Sequence, residues 1–441
     1  MATPKIHHEP ICPLRGHLDH ARRQTDSLFQ VLRPDALYDR PIPERHRLAF
    51  YLGHLEAFDW NLIARGAFEC PSFHPEYDKL FAFGIDPVDG QLPHDVPADW
   101  PRMEEIATYK GEVRKRIDAA LDAPASRLPK QVADGTLLNV AIEHRLMHAE
   151  TLAYLLHQLP YEKKAGPAAS STMAALRPAE PHMLEIHEGK ATLGMRRGSG
   201  AFGWDNEFEE HAVDVKRFRV GVYPVTNGEF RAFVRAGGYD DARLWNREAW
   251  EWKSAEKIAH PGFWARKGED WEYRGMFAQV PLPLDCPVYV SHAEASAYAR
   301  WKGQALPTEA QWHRAAFGTP AEIECTYPWG DVEPSASRGN FNFQRWDPTP
   351  VNAHPAGQSA FGIYDLLGNG WEWTSTPFAP FAGFEPFSFY PGYSANFFDG
   401  KHFVMKGGSQ RTAACMLRRS FRNWFQPRYP YVYAKFRTVE E

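Results

Sequence analysis

Two histidines one helical turn apart carry the clearest chemical signal in the sequence. His144 and His148 stand four residues apart, and on an α-helix residues at this spacing lie one above the other on the same face. The helical face that contains both also contains Leu137, Ala141 and Leu155, so we expect the pair to face an apolar interior. Two inward-facing imidazoles can bind one metal ion. Two hydrogen-bonded core histidines are the alternative interpretation.

A third nitrogen ligand is predicted on an upstream helix. His54 lies at the edge of an apolar helical face that includes Leu48, Leu52 and Leu55, so its side chain can reach a neighbouring helix. One histidine on one helix and a pair on another can build a site inside a helical bundle. Three neutral imidazoles leave positions open for substrate and dioxygen on a non-haem iron, and zinc accepts three histidines and a water equally well. The spacing leaves iron and zinc open.

Length and composition limit the classes of protein. A chain of 441 residues exceeds what one hydrophobic core usually supports, so we expect two or more domains. The net charge of -5 argues against nucleic acid or a membrane surface as the main partner. No apolar run is long enough to span a membrane, and the N-terminal residues lack the apolar core of a signal peptide. The five cysteines are scattered, which fits reduced thiols in a cytoplasm. We expect a monomer or a small homo-oligomer.

The first part of the chain, residues 1–160, is predicted to be a helical bundle. The residues from 71 to 101, rich in proline, aspartate and aromatic side chains, are interpreted as a long connection inside it. Stretches with helical periodicity cover residues 14–33, 44–66, 101–122 and 134–158.

The second half has a different character. Residues 161–180 are small and polar and are predicted to form a linker. From 181 to 441 the pattern is one of short β-like runs among glycine, proline and tryptophan, with two modest helices at 226–236 and 292–302. We therefore expect an α+β protein in which a helical domain precedes a loop-rich one.

Five ordered motifs stand in this second half, at residues 222–230, 286–292, 305–312, 367–374 and 406–409. In order and spacing they resemble the formylglycine-generating-enzyme (sulfatase-modifying factor) fold, a C-type-lectin-like domain, over roughly residues 183–437. Most of these positions are structural in that fold, which implies that Trp371, Glu372 and Trp373 are scaffold.

The resemblance does not extend to formylglycine generation. Those enzymes use two cysteines just after the Gly-Gly-Ser motif, which ends here at Ser409. Only Cys415 follows it, and a single thiolate cannot supply a two-thiolate copper site.

The helical half resembles the DinB-like four-helix bundle, which presents three histidines to a metal. Such a bundle followed by this C-terminal fold is the layout of the ergothioneine sulfoxide synthases. The resemblance implies that His54, His144 and His148 are the ligands of a non-haem ferrous iron. In that family, iron and dioxygen join a sulfur donor to C2 of hercynine, the trimethylated betaine of histidine.

A substrate-binding segment is implied by the same resemblance. The family's Arg-Asn-Trp stretch stands here as Arg422, Asn423 and Trp424, which implies that Asn423 and Trp424 hold hercynine, with Arg422 beside them. A quaternary ammonium gains from an aromatic face and cannot accept a hydrogen bond. An ordinary core role for Trp424 is the alternative.

Several positions depart from the family pattern. Phe425 and Tyr429 stand where the mycobacterial-type enzymes have the aspartate and arginine implied in binding γ-glutamylcysteine, so both charges complementary to a zwitterionic peptide are absent. Met147 replaces a glutamine between the paired histidines. Phe378 and Phe381 stand in place of two tyrosines, so the usual phenolic proton donor is missing. We expect all five side chains to line the substrate pocket.

These departures predict a less charged chalcogen donor. Selenoneine synthases are similar proteins that use a selenosugar, and the strings at 144–152 and 83–87 resemble that branch. We therefore expect formation of a carbon–selenium bond on hercynine. An ergothioneine-type synthase with a thiol donor is the alternative.

The proton donor and the wider class of protein stay open at this point. Tyr429 is the preferred donor because it neighbours the Asn-Trp segment, with Tyr390, Tyr393 and Tyr51 as further candidates. A DinB-like metal-binding thiol transferase and a non-catalytic ligand-binding module are the competing classes. For the enzyme, we expect the active site to lie where the two domains meet.

Overall fold

The computed structural model describes residues 11–84, 92–166 and 180–441, which form two compact units. The first contains the described residues up to 166 together with Gly200–Phe202, and the second contains the others. Within the described ranges, no helix is long and apolar enough to cross a membrane. The helical first unit and the sheet-containing second unit confirm the α+β prediction.

The described residues of the first unit form six α-helices. They are α1 (Ile11–Phe29), α2 (Leu48–Asp59), α3 (Pro75–Phe83), α4 (Met103–Leu121), α5 (Lys130–Ala133) and α6 (Thr136–Gln158). Helix α2 runs directly into a π-helical segment, Trp60–Ala67. The four stretches predicted from periodicity correspond to α1, α2, α4 and α6.

Helix α3 lies inside residues 71–101, the segment that was predicted to be a long connection. Its start carries recognisable signals, because Pro75 occupies the first turn and the His74 side chain accepts a hydrogen bond from the Tyr77 N–H at 3.3 Å. The helix is short, and its apolar positions are too few for a clear periodic pattern. Part of the string at 83–87, from residue 85, lies outside the described residues.

The start of the predicted linker belongs to the first unit. The Arg33 N–H donates to the Lys163 carbonyl at 3.0 Å, and the Ala165 N–H donates to the Val31 carbonyl at 2.6 Å. These bonds hold residues 161–166 against the end of α1, whereas residues 167–179 lie outside the described residues. The described part of the second unit begins at Glu180.

The described residues of the second unit form four small sheets. The strands are β1 (Met183–Ile186), β2 (Gly189–Leu193), β3 (His211–Val215), β4 (Phe218–Gly221), β5 (Trp264–Lys267), β6 (Asp270–Arg274), β7 (Gln279–Pro281), β8 (Gly370–Pro377), β9 (Phe403–Gly408), β10 (Asn423–Phe425), β11 (Ala434–Lys435) and β12 (Val439–Glu440). The strand orders are β1-β4-β12, β10-β9-β8-β11, β2-β3 and β5-β6-β7, and β11 pairs with β8 in parallel while the other pairs are antiparallel.

Four helices accompany these strands, so the prediction of two was incomplete. The expected helices appear as α7 (Asn227–Arg235) and α9 (His292–Trp301), and α8 (Arg247–Ala255) and α10 (Glu309–Phe317) are additional. Helix α10 begins with a capping box in which the Gln311 N–H donates to the Thr308 hydroxyl at 3.1 Å and the Gln311 side chain accepts from the Thr308 N–H at 2.9 Å. A Thr-x-x-Gln pattern is a readable signal for a helix start.

The Trp-Glu-Trp motif is part of the interior of the second unit. Glu372 is buried on β8 and accepts hydrogen bonds from Arg437 at 2.6 Å and from Trp312 Nε1 at 2.8 Å. The indole of Trp373 donates to the Val290 carbonyl at 2.9 Å. Buried groups that satisfy one another in this way stabilise a scaffold.

Candidate functional site

The three predicted metal ligands lie together in the first unit. His54 comes from α2, and His144 and His148 come from successive turns of α6. One potential ligand atom from each lies within 4.8 Å of the others. The ring centroids of His54 lie 5.3 Å from His144 and 4.8 Å from His148, and the two α6 rings are 4.5 Å apart. This grouping can hold one metal ion with three imidazole nitrogens.

A backbone carbonyl orients His54. The Nδ1 atom of His54 lies 2.7 Å from the carbonyl oxygen of Phe81, on α3. A carbonyl only accepts hydrogen bonds, so Nδ1 must carry the proton. The lone pair on Nε2 is then available for a metal, which is the usual division of roles in a metal-bound histidine.

Burial keeps all three imidazoles neutral. It lowers the pKa of His54 to about 4. The pKa values of His144 and His148 lie well below 6.5, first because of burial and then because of the neighbouring histidines. The Nδ1 atom of His148 is buried and has no hydrogen-bond partner among the described residues. Neutral imidazoles with a buried nitrogen of this kind fit a divalent transition metal.

Aromatic side chains surround the three histidines. Phe58 stacks on His144 with a centroid distance of 3.4 Å, and Phe50 stacks on His54 at 4.8 Å. The Tyr51 ring lies 5.9 Å from that of His148. These apolar faces restrict rotation of the imidazoles. Of the four tyrosines named as candidate proton donors, Tyr51 is the one that lies in the same unit as the three histidines.

A buried charge network connects the helices that carry the histidines. Arg145, next to His144, donates to both carboxylate oxygens of Glu56 at 3.1 Å and also pairs with Asp59. Arg114 on α4 donates to Glu56 at 2.7 Å. Glu56 lies two residues after His54, so the network sets the register of α2 against α6. Removal of one partner would leave buried charge unpaired, which is strongly unfavourable.

In the second unit, Arg422 is held by protein groups. Its guanidinium donates to both oxygens of Glu309, at 3.0 and 3.1 Å, and to the Ala379 carbonyl at 3.0 Å. It also lies 4.0 Å from the ring centre of Phe381 and 5.1 Å from that of Phe378. Burial raises the pKa of Glu309, but the charges of Arg422 and Lys406 outweigh it, so the net pKa is lowered. These contacts fix the two phenylalanine rings.

Trp424 lies in a group of aromatic rings. Phe378 stacks on its indole with a centroid distance of 4.2 Å. Tyr393 and Phe397 each lie 5.5 Å away. The side-chain oxygen of Asn423 accepts a hydrogen bond from the Trp424 N–H at 2.8 Å, and the half-buried indole can still meet a ligand.

The remaining predicted residues occupy two further places. Phe425 and Tyr429 stack on one another with a centroid distance of 5.3 Å, and Tyr431 lies 5.1 Å from Tyr429. Met147 is half-buried on α6 between the paired histidines. The described residues thus place the histidines and Met147 in the first unit, and the Arg-Asn-Trp segment with its phenylalanines in the second.

Sequence reasoning missed the residues that hold the predicted ones in place. Glu309 is one of them, and its only local signal is its position at the start of α10. Phe81 contributes its backbone carbonyl. Every residue has such a carbonyl, so the residue type at position 81 could not predict this contact. Phe397 ends a short 3-10 helix, Ala395–Phe397, whose packing against Trp424 depends on distant parts of the chain.

Comparison with known proteins defines the class. Residues 17–152 match the DinB superfamily, and residues 169–441 match the sulfatase-modifying factor enzyme 1-like domain. The chain therefore combines a DinB-type helical domain that holds three clustered histidines with a sulfatase-modifying-factor-like domain.

Individual relatives define the family more closely. The hercynine oxygenase of Mycolicibacterium thermoresistibile is 38% identical over 326 residues, covering 71% of this chain and 70% of the relative. That of Mycolicibacterium smegmatis is 36% identical over 366 residues, covering 80% and 81%. The formylglycine-generating enzyme of Mycobacterium tuberculosis is 32% identical over 238 residues and covers 43% of this chain. The chain belongs to the hercynine oxygenase family.

Proposed function

We propose that this protein is a non-haem iron(II), dioxygen-dependent enzyme that joins C2 of the hercynine imidazole to the selenium of a selenosugar. Family membership supports hercynine as the substrate. The observation that carries the choice of donor is the uncharged, stacked pair Phe425 and Tyr429. The three clustered histidines supply the metal site.

The overall reaction balances with one dioxygen. The imidazole C2–H and the selenol Se–H bonds break, and a C2–Se bond forms with loss of two electrons. A second two-electron oxidation at selenium leaves one oxygen atom on selenium and the other in water. Iron held by His54, His144 and His148 would bring the donor, hercynine and dioxygen together and favour the deprotonated chalcogen.

Hercynine binding is assigned to Asn423 and Trp424. Phe378 covers one face of the indole, and Tyr393 and Phe397 lie around it. A trimethylammonium group gains from aromatic surfaces because the ring quadrupole attracts a cation that has no hydrogen-bond donor. The exposed part of the indole would meet that group, and the Asn423 amide would contact hercynine from the same strand.

Arg422 is assigned a supporting role. Its donors are directed to Glu309 and to the Ala379 carbonyl, so the guanidinium is already satisfied by protein groups. Arg422 would fix Phe378 and Phe381 instead of contacting the substrate, and those rings would in turn limit how Trp424 can move.

Donor selection is assigned to the uncharged pair Phe425 and Tyr429. A peptide donor has two carboxylates and an ammonium that need charged partners, and Phe425 and Tyr429 supply none. A neutral sugar can place its C–H face against such rings without loss of ion pairs. Met147, between the paired histidines, adds a polarisable apolar surface near the metal site. Tyr429 is proposed as the proton donor to the reacting oxygen.

The experiment is aerobic incubation of the iron-loaded protein with hercynine and each donor in turn, followed by mass spectrometry. We expect a selenium-containing hercynine adduct with the selenosugar and a much slower reaction with γ-glutamylcysteine. Zinc-loaded protein is the matched control and should form no adduct. Efficient use of γ-glutamylcysteine would contradict the selenosugar assignment.

A second candidate function is an ergothioneine-type sulfoxide synthase with a thiol donor. The relatives named hercynine oxygenase and ergothioneine biosynthesis protein 1 favour it. The same incubation separates the two, because a thiol donor gives a sulfur adduct. The thiol-transferase and ligand-binding classes would instead give no oxygen-dependent product with any donor.

A further inference from the structure

We propose that α3 is a positioning element for the candidate metal centre. In this proposal the Phe81 carbonyl selects the tautomer of His54, and Gly53 is the residue that allows α3 to come close enough. The inference rests on the metal site proposed above. It concerns Gly53 and α3, neither of which contacts a metal.

Gly53 lies directly under the ring of Phe81. A Cβ atom added at Gly53 would lie 2.3 Å from the nearest ring atom of Phe81, with two more ring atoms at 2.4 Å. The Phe81 ring is fully buried and packs 5.6 Å from Tyr77 and 5.7 Å from Tyr109. A well-packed interior has no space for the ring to move aside. Any larger residue at position 53 would therefore push α3 away from α2.

Polar contacts also hold α3 in this place. The buried carboxylate of Asp78 accepts hydrogen bonds from Tyr109 at 2.7 Å, from Trp60 Nε1 at 3.0 Å and from Ser72 at 2.6 Å. These bonds connect α3 to α4 and to the π-helical continuation of α2. These hydrogen bonds therefore fix the position of α3 and of the carbonyl groups in its last turn.

The last turn of α3 contains the carbonyl group that binds His54. The Phe81 oxygen lies 2.7 Å from His54 Nδ1. Since Gly53 and His54 are adjacent, the same close approach that needs a glycine at position 53 creates the hydrogen bond at position 54. Loss of the bond would free the ring to rotate and to place its proton on either nitrogen. A ligand with the wrong tautomer cannot coordinate through Nε2.

The test uses Gly53→Ala, Phe81→Ala and the double variant in the full-length protein. Phe81→Ala removes the ring but keeps the backbone carbonyl, so it relieves the clash without deleting the acceptor. Long-range ¹⁵N–¹H spectra of histidine-labelled, metal-free protein report the His54 tautomer, with His54→Gln for assignment. Titration with Co²⁺ reports the affinity of the site.

We expect Gly53→Ala to lose the single Nδ1–H tautomer of His54 and to bind Co²⁺ roughly 10–100-fold more weakly, the usual effect of losing an outer-sphere partner. Phe81→Ala should keep the tautomer but melt at a lower temperature. The double variant should recover the tautomer and most of the affinity. Gly111→Ala on α4, where an added Cβ meets nothing within 4 Å, is the matched control and should leave both unchanged.

Specific outcomes would overturn the proposal. One is a wild-type His54 that carries its proton on Nε2, and another is Gly53→Ala protein with unchanged tautomer and affinity. If Gly53→Ala does not fold, the comparison of Phe81→Ala with the double variant decides, since a double variant without the Nδ1–H tautomer contradicts the proposal. Wild-type protein whose Co²⁺ binding does not need the histidines would refute the metal site, while the spectra would still test Gly53.

Discussion

The ring of Phe378 lies flat against the indole of Trp424, with centroids 4.2 Å apart and planes within 8° of each other. Phe378 is buried, and the Arg422 guanidinium lies near its ring. Protein therefore occupies one face of the indole. A cationic substrate at Trp424 would therefore contact the face of the indole that Phe378 does not cover.

Replacement of Trp424 tests that binding role. Trp424→Leu should raise the Kd for hercynine by about 2–30-fold, because a cation–π contact contributes about 0.5–2 kcal/mol. Binding of histidine, which has no trimethylammonium group, should change much less. Calorimetric titration of both ligands into both proteins measures the difference. Equal losses for the two ligands would argue that Trp424 serves only in packing.

Each of the three histidines should be needed for the metal. His54→Ala, His144→Ala and His148→Ala should each lose bound iron and turnover, because two remaining nitrogens hold a divalent ion poorly. Metal analysis of the purified variants, with circular dichroism as a check of folding, measures this. His20→Ala, on the exposed side of α1, is the control and should keep its iron. Unchanged iron in all three variants would exclude this site.

Loss of Arg145 should affect both stability and metal binding. Arg145→Met leaves Glu56 and Asp59 buried without their main partner, at a cost of about 3–5 kcal/mol in the free energy of unfolding. Arg437→Met removes an equally buried arginine from Glu372 in the other unit. Urea unfolding should show similar losses for both variants, but only Arg145→Met should weaken Co²⁺ binding. Equal Co²⁺ affinities would contradict a role for Arg145 in the metal site.

The second unit should be sensitive to acid through Glu309. Its pKa is lowered in the folded protein, so its contribution to stability is present above the unfolded value near 4.5 and is lost as the pH falls through the lower folded value. Wild-type protein should therefore lose unfolding free energy below pH 4.5 more steeply than Glu309→Gln. Urea unfolding at a series of pH values measures both slopes. Parallel slopes would show that Glu309 does not contribute.

Donor preference should respond to charge at two positions. Phe425→Asp combined with Tyr429→Arg restores partners for a zwitterionic peptide, and each restored contact contributes about 1–3 kcal/mol, or roughly 10–100-fold. The double variant should gain activity with γ-glutamylcysteine and lose activity with a selenosugar. Competition between the two donors measures the ratio. A wild-type protein that already prefers the peptide would contradict the selenosugar hypothesis.

Much of the first unit could be read from the sequence because its signals are local. The four long helices follow from apolar side chains at helical spacing, and His144 and His148 lie on one face of α6 for the same reason. The short helices were harder. Helix α3 and helix α8 have nine residues each, as has α7, but neither begins with the Thr-x-x-Glu capping box that marks the start of α7.

The Arg-Asn-Trp motif predicted a substrate-binding segment but not the partners of its side chains within the protein. The sequence placed Arg422 with the substrate-binding residues, whereas its guanidinium pairs with Glu309, a residue 113 positions earlier. No spacing rule connects two side chains so far apart. The pairing depends on how β10 and α10 pack within the second unit.

The amino-acid sequence by itself determined the residue types, the helical face that holds two imidazoles and the absence of charge at Phe425 and Tyr429, because these are properties of composition and short-range periodicity. The sequence predicted His54 as the third ligand, but only the tertiary structure brings its ring to 5.3 Å from that of His144 and 4.8 Å from that of His148. The tertiary structure alone also places the Phe81 carbonyl of α3 against His54 Nδ1 and the Phe81 ring against Gly53. Those facts arise from close packing between helices that are distant in the chain, where backbone atoms matter as much as side chains.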